Sequence, residues 1–371
     1  MKKKVGILTF HFAGNYGAIL QAMGTYLFLK DCDVNVEVID YIPYKVPKIG
    51  MLRGYGIKDN VIGFIKKFKT KIQDHKIVYS RHKKLVDFVR NNIKLSENYK
   101  NYEELSNNCK RYDAVVVGSD QVWNYYTTNK TFCSEYYLSF YDGEKISYAA
   151  SCGVNQPAEN MDKILTYLKK FNAISVRDEV TKKMLNRLGL DDIEKVSDPT
   201  LLVNYDKYAI CTKRLSSLPD SYVLVYKFND IDGFDQIAKK ISNATRLPLV
   251  VVGSKRIIKA DYHFLDCGVD EWLYLIKNAK YVFTHSYHGV LFSIKYNIDF
   301  IVYAYAAQGL LNDRIIDLSR RYNFQKHVLF ENVSMEKMHY LIDCSVYNDF
   351  KKDLLLSDID NSKKFIEDNI I

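Results

Sequence analysis

The chain contains no uninterrupted apolar run approaching the roughly 18 residues that a bilayer-spanning helix needs, so its sequence predicts a soluble, cytoplasmic protein. MKKKVGILTF superficially imitates a leader, but its apolar stretch is short and stops at His11, Gly14 and Asn15, which reads as a first strand. Prolines number only six and no low-complexity tract is present, which excludes an extended or disordered chain. The seven cysteines are odd in number, scattered and never paired as CxxC, which argues against both a disulfide framework and a zinc site. No metal or bound cofactor is expected. No recognised nucleic-acid module accompanies the positive charge, so a nucleic-acid partner is not expected either.

Hydrophobic residues make up 47% and charged residues 26% of 371, a globular balance over a length that suits two domains of roughly 150 to 200 residues. Short β-branched runs alternate with longer amphipathic stretches, the pattern of βα units around a parallel sheet. The expected strands are 5–10, 34–40, 114–118, 146–149 and 173–176, then 222–228, 249–253, 281–284 and 300–303. The pattern lapses between 203 and 220 before restarting. The expected fold is therefore α/β, with an N-terminal Rossmann-like domain over 1–205 and a C-terminal one over 206–371. Apolar spacing continues helically beyond Ser334, and the last helix is allowed to cross back onto the first domain.

The formal charge of +9 is concentrated: residues 45–85 hold twelve Lys and Arg against Asp59 and Asp74. Within that stretch Val61, Ile65, Phe68 and Ile72 recur at helical spacing between Lys66, Lys67, Lys69 and Lys71. This predicts a basic amphipathic helix within about 56–85, placed on the first domain. It either packs there with a solvated outer face or meets anionic lipid headgroups or a polyphosphate acceptor.

Open α/β sheets hold ligands beyond the carboxyl ends of their strands, and four such loops stand out. HFAGNYGAILQA (11–22) lacks the GxGxxG fingerprint, although Asp40 after the second strand tempts a dinucleotide reading; Asn15 and Gln21 either bind a ligand or cap the turn. GSDQVWN (118–124) places Ser119, Asp120, Gln121 and Trp123 together, a carboxylate beside an aromatic plane as a sugar site requires. The alternative is an Asp cap with a core Trp. Arg177 ends the strand before DEVTKKML, either to fork onto phosphate or carboxylate or to pair with a nearby carboxylate. YVFTHSYHGVLFSIKYN (281–297) sets His288 at a helix N-terminus with Ser286 and Gly289, a place that favours an anion beside the imidazole.

In this order, NYGAILQ, GSDQVWN, SVRDEVT, SDPTLLV and SYHGVLFSI resemble the polysaccharide pyruvyl transferase family over about residues 5–325. The resemblance implies two Rossmann-like domains facing across a cleft, similar to B-type glycosyltransferases. It implies transfer of pyruvate from phosphoenolpyruvate, as co-substrate, to two hydroxyls of one sugar of a bacterial surface glycan, an exopolysaccharide or capsule. It further implies a donor site with His288 and Arg177; in these terms His288 is expected as the acid that serves the donor, with Ser286 and Gly289 beside Arg177 at the donor, and the loop residues Asp120, Asn15, Gln21, Ser119, Gln121 and Trp123 are expected on the acceptor side. The family often carries Arg next to this histidine, where the chain has Tyr287; Lys227 and Arg314 are the candidates to supply that charge. The acceptor is expected to be a surface polysaccharide or its precursor on a lipid diphosphate, the latter fitting a peripheral contact at the inner membrane face. A nucleotide-sugar-dependent glycosyltransferase and a non-catalytic glycan-binding relative stay open as alternatives.

Overall fold

The computed structural model of the chain describes residues 2–43, 72–208, 210, 215, 217–253, 257, 260–304 and 313–371, the side chains of 72–75 excepted. Among these residues it divides into two compact units. The first comprises 2–43, Val89–Val203 and Leu355–Ile371; the second comprises 72–88 and Asn204–Leu354.

In the first unit β1 (Lys4–Leu8), α1 (Tyr16–Asp31) and β2 (Asn35–Val38) are followed by α2 (Ile72–Asn92), which begins in the second unit, and by α3 (Tyr102–Cys109). Then come β3 (Ala114–Val117), β4 (Glu144–Ala150), α4 (Met161–Leu168), β5 (Ala173–Val176), α5 (Glu179–Arg187) and β6 (Ile193–Lys195). The strands form one parallel sheet in the order β2-β1-β3-β4-β5-β6. Val115, Val116 and Val117 are fully buried because helices cover both faces of such a sheet, so its central strands read as continuous apolar runs. Each such side chain contributes about 1.5 to 3 kcal/mol of burial. Helix α1 is buried on every side from Tyr16 to Leu29, which explains why its sequence shows no polar stripe. Its Gly24 admits the backbone of the SDPT segment: a Cβ there would stand 2.6 Å from Pro199 O.

The second unit contains β7 (Val223–Lys227), α6 (Phe234–Thr245), β8 (Leu249–Gly253), β9 (Tyr262–Phe264), α7 (Val269–Lys277), β10 (Tyr281–Thr284) and α8 (Tyr287–Tyr296). It continues with β11 (Phe300–Tyr303), α9 (Asp313–Tyr322), β12 (Val328–Leu329) and α10 (Met335–Asp343). Its sheet is again parallel, in the order β12-β11-β10-β7-β8-β9. The last helix, α11 (Lys352–Ile370), joins the first unit from Leu355 onward, where Ser197 N donates to Ser362 Oγ at 2.8 Å.

Both strand orders reverse direction once, between β1 and β3 in one sheet and between β7 and β10 in the other. These switch points open the crevices in which open α/β sheets hold ligands. Of the basic amphipathic helix, residues 56–71 lie outside the described residues. The described continuation, 72–88, groups with the second unit, whereas the sequence reading assigned it to the first. Ser80 Oγ donates to Asp266 at 3.0 Å and Lys84 Nζ to Glu271 at 2.9 Å, contacts 186 and 187 residues apart that periodicity does not reveal.

Candidate active site

At the switch point of the second sheet β10 ends in Thr284, and His285-Ser286 lead into α8. Ser286 is the N-cap: its Oγ accepts from Gly289 N at 3.3 Å, while its own N–H donates to Thr284 Oγ1 at 3.0 Å. Gly289 is required by proximity, because a Cβ would lie 2.8 Å from Thr284 Oγ1 and 2.9 Å from its Cγ2. The helix therefore starts tight against the strand, with His288 in its first turn and only 6% exposed. First-turn amides and the helix dipole favour an anion at this position.

The two histidines of this loop are not equivalent. His285 Nε2 accepts the N–H of Phe228, just beyond β7, at 3.2 Å, and the ring lies 4.0 Å from that of Phe228. Burial, then the neighbouring Lys227 charge, lower its pKa to about 4, so His285 is neutral near neutral pH and bridges the ends of β7 and β10. Tyr226 of β7 lies beneath, its phenol hydrogen-bonded to Ser286 and raised in pKa by burial. Arg314 of α9 sits 5.0 Å above the Tyr287 ring, so a guanidinium flanks the residue that precedes His288. Lys227 does not present an open charge. Its Nζ is 2.6 Å from Asp235 and 3.6 Å from Asp230, and its side chain is 5% exposed. The charge expected to hold the donor is thus already matched by two carboxylates.

At the strand ends of the first unit the structure brings Ser119, Asp120 and Arg177 together. Arg177 Nη1 donates to Asp198 Oδ2 at 2.6 Å and lies 3.5 Å from Ser119 Oγ, and Nη2 donates to Asp120 Oδ1 at 3.2 Å. The Arg177 side chain is 1% exposed. Two carboxylates thus hold Arg177, as the pairing alternative describes. Asp120 is the more open partner, its side chain 17% exposed. It also holds a left-handed backbone, φ 78°, and forms an isolated bridge to Ala150, next to Ala149 at φ 54°. Non-glycine residues in this region store of the order of 1 to 3 kcal/mol of strain and concentrate at functional sites.

Other expected acceptor residues serve the core. Trp123 is 2% exposed, stacks on Tyr137 at 5.6 Å and donates from Nε1 to Tyr136 O at 2.8 Å, the arrangement of the core-Trp alternative. Gln21 is fully buried, donating to Thr9 Oγ1 at 3.0 Å and Ala18 O at 2.8 Å. Gln121 accepts from Asn124 Nδ2 at 2.6 Å. Asn15 is an exposed N-cap, accepting from Gly17 N at 2.9 Å.

Sequence reasoning missed Asp198, whose signal was the SDPT turn: its Oδ1 accepts from Thr200 N and Oγ1 while Oδ2 meets Arg177. It also missed the buried His11–Asp40 pair, 3.0 Å apart, which ties the ends of β1 and β2. Asp40 therefore answers to a histidine rather than to a ribose.

The sequence model of the family described as polysaccharide pyruvyl transferase matches residues 15–306. No curated protein matches the chain. Among solved structures it is similar to the UDP-GlcNAc 2-epimerase of Methanocaldococcus jannaschii in complex with UDP-GlcNAc and UDP, at 12% identity and a TM-score of 0.53 over 99% of each chain. The UDP-GlcNAc 2-epimerase of Neisseria meningitidis bound to UDP-GlcNAc gives 8% identity and 0.52 over 99% of each chain. A putative UDP-N-acetylglucosamine 2-epimerase of Listeria monocytogenes gives 10% and 0.51 over 98% of this chain and 91% of that one. At these identities the likeness is one of fold: two parallel-sheet α/β units of the B-type glycosyltransferase kind. Among the described residues no helix is long and apolar enough to cross a membrane.

Proposed function

Because the chain belongs to the polysaccharide pyruvyl transferase family, we propose that it transfers the pyruvyl group of phosphoenolpyruvate to two hydroxyls of one sugar, forming a cyclic ketal and releasing phosphate. The observation that carries this reading is His288, buried in the first turn of α8 at the switch point of the second sheet. Phosphoenolpyruvate is an enol phosphate, so its methylene carbon must take a proton before the adjacent carbon accepts a sugar oxygen. His288 gives that proton, since its neighbour His285 is held neutral and occupied by the Phe228 amide.

The first sugar hydroxyl then adds to the electron-poor carbon, phosphate departs with the former bridging oxygen, and the second hydroxyl closes the ring. One hydroxyl proton replaces the one delivered by His288, and the other leaves with phosphate. No water or further reactant is consumed. On the first unit Asp120, partly open and backbone-strained, is assigned to orient an acceptor hydroxyl. The basic stretch 45–85 supports the reading of an acceptor carried on a lipid diphosphate at the cytoplasmic membrane face.

Incubation of the protein with phosphoenolpyruvate and a lipid-linked glycan tests this reading. It expects phosphate release matched by one carboxyethylidene group added to the glycan by mass analysis. UDP-sugars run alongside are expected to stay intact; their consumption, with phosphoenolpyruvate untouched, overturns the reading in favour of a glycosyltransferase. Saturable donor binding without turnover of any acceptor would favour a glycan-binding relative.

A further inference from the structure

The basic side chains near the carboxyl edge of the second sheet differ in how far their charge is already matched. Lys227 is bound by Asp235 and Asp230, and Lys84 by Glu271 and Asp266. Arg81, on α2 and one helical turn from Lys84, is different. Its Nη1 donates to Gly253 O, the last carbonyl of β8, at 3.0 Å, and among the described residues no carboxylate pairs with it. That bond uses one N–H of a five-donor fork on a half-buried residue.

Its anchor lies one strand from the switch point. Gly253 pairs with Lys227 at the end of β7, the next residue along β7 is Phe228, and Phe228 donates to His285 in the loop that carries Ser286 and His288. Arg81 also acts electrostatically on Tyr226, the phenol that meets Ser286. An arginine anchored through a strand-end carbonyl, with donors to spare and no counter-ion, is arranged as an oxyanion receptor.

We propose that Arg81 is a donor-binding residue whose guanidinium takes the phosphate of phosphoenolpyruvate at the ends of β7 and β8. This rests on the reading of the chain as a phosphoenolpyruvate-dependent transferase. The Gly253 bond fixes the fork, so the cation is pre-positioned for the ligand rather than recruited from solvent.

Calorimetric binding of inorganic phosphate and of phosphoenolpyruvate to the full chain, wild type against Arg81→Gln, tests the assignment. Glutamine keeps an N–H donor and removes the charge. Both anions are expected to bind about ten- to a hundredfold more weakly, the scale of a hydrogen bond to a charged group, with an unchanged melting temperature. Phosphoenolpyruvate should also protect Arg81 of the wild-type protein from phenylglyoxal, mapped by peptide mass spectrometry, a readout independent of how the variant folds. Unchanged anion affinity in Arg81→Gln, modification of Arg81 that saturating phosphoenolpyruvate does not reduce, or a wild-type protein that binds neither anion overturns the proposal. Anion binding that depends on Arg81, in a wild-type protein that forms no ketal on any glycan, leaves Arg81 as an anion receptor and removes the pyruvyl reading instead.

Discussion

Arg177 and Asp198 meet at 2.6 Å with side chains 1% and 0% exposed, a buried ion pair joining the ends of β5 and β6. A charge in that position is a structural element whose counter-ion must stay. Arg177→Ala strands Asp198 without its partner, and loss of one member of such a pair costs about 3 to 5 kcal/mol. Urea unfolding of the variant is expected to show a loss of that size. Full stability accompanied by weakened donor binding would return Arg177 to the donor site.

Asp120 shares Arg177 but stands at the open side of it. Asparagine tolerates the left-handed backbone that Asp120 adopts and preserves an acceptor for Nη2. Asp120→Asn is therefore expected to unfold at nearly the wild-type urea concentration while the KM for the acceptor rises and that for phosphoenolpyruvate holds. Equal effects on both substrates, or a loss of stability matching Arg177→Ala, would reduce Asp120 to a structural partner.

The histidines of THSYH divide into a structural and a reactive one, and pH separates them. With a folded pKa of about 4 against the ordinary 6.5, His285 takes its proton more readily in the unfolded chain. Its stabilising share is thus complete above about pH 6.5 and is lost as pH falls toward 4, at most about 3 kcal/mol. Denaturation between pH 7 and 4.5 is expected to show this slope, and His285→Gln to flatten it. His288→Ala is expected instead to lower turnover by about 10²- to 10⁴-fold, the usual share of a general acid, with phosphoenolpyruvate still binding. Near-normal turnover of that variant would end the acid assignment.

What could be read from the residues follows the physics of burial. Strands such as AVVV and LVVVG announce themselves because both faces are covered, and the restart at Tyr222 marks the second sheet. The edge strands β6 (IEK), β9 (YHF) and β12 (VL) are two or three residues long, too short to show a period, so periodicity passes over them. Strand-end loops were legible as places, whereas the direction of each side chain was not. Trp123 and Asp120 lie three residues apart; one turns into the core against Tyr137 and the other stays partly open. Asp198 and Arg81 find their partners 21 and 172 residues away, contacts that only the folded sheets create.

The contact between Gly289 and Thr284 gives the most direct test of whether His288 acts through position. Replacing Gly289 by alanine puts a methyl group 2.8 Å from Thr284 Oγ1, whose hydroxyl is already engaged with Tyr226 O and Ser286 N, so the threonine cannot simply turn away. The helix must shift instead. Overpacking of this kind costs about 1 to 3 kcal/mol, and the chain should remain folded at moderate temperature. The first turn of α8 moves with it, carrying His288 away from its place beside the end of β10. Turnover in Gly289→Ala is therefore expected to fall further than stability explains, while Thr284→Ser in the same background, which removes the Cγ2 methyl at 2.9 Å, restores part of both. Steady-state kinetics with phosphoenolpyruvate beside urea unfolding separate the two effects. Wild-type turnover in Gly289→Ala would mean that the placement of His288 does not limit the reaction.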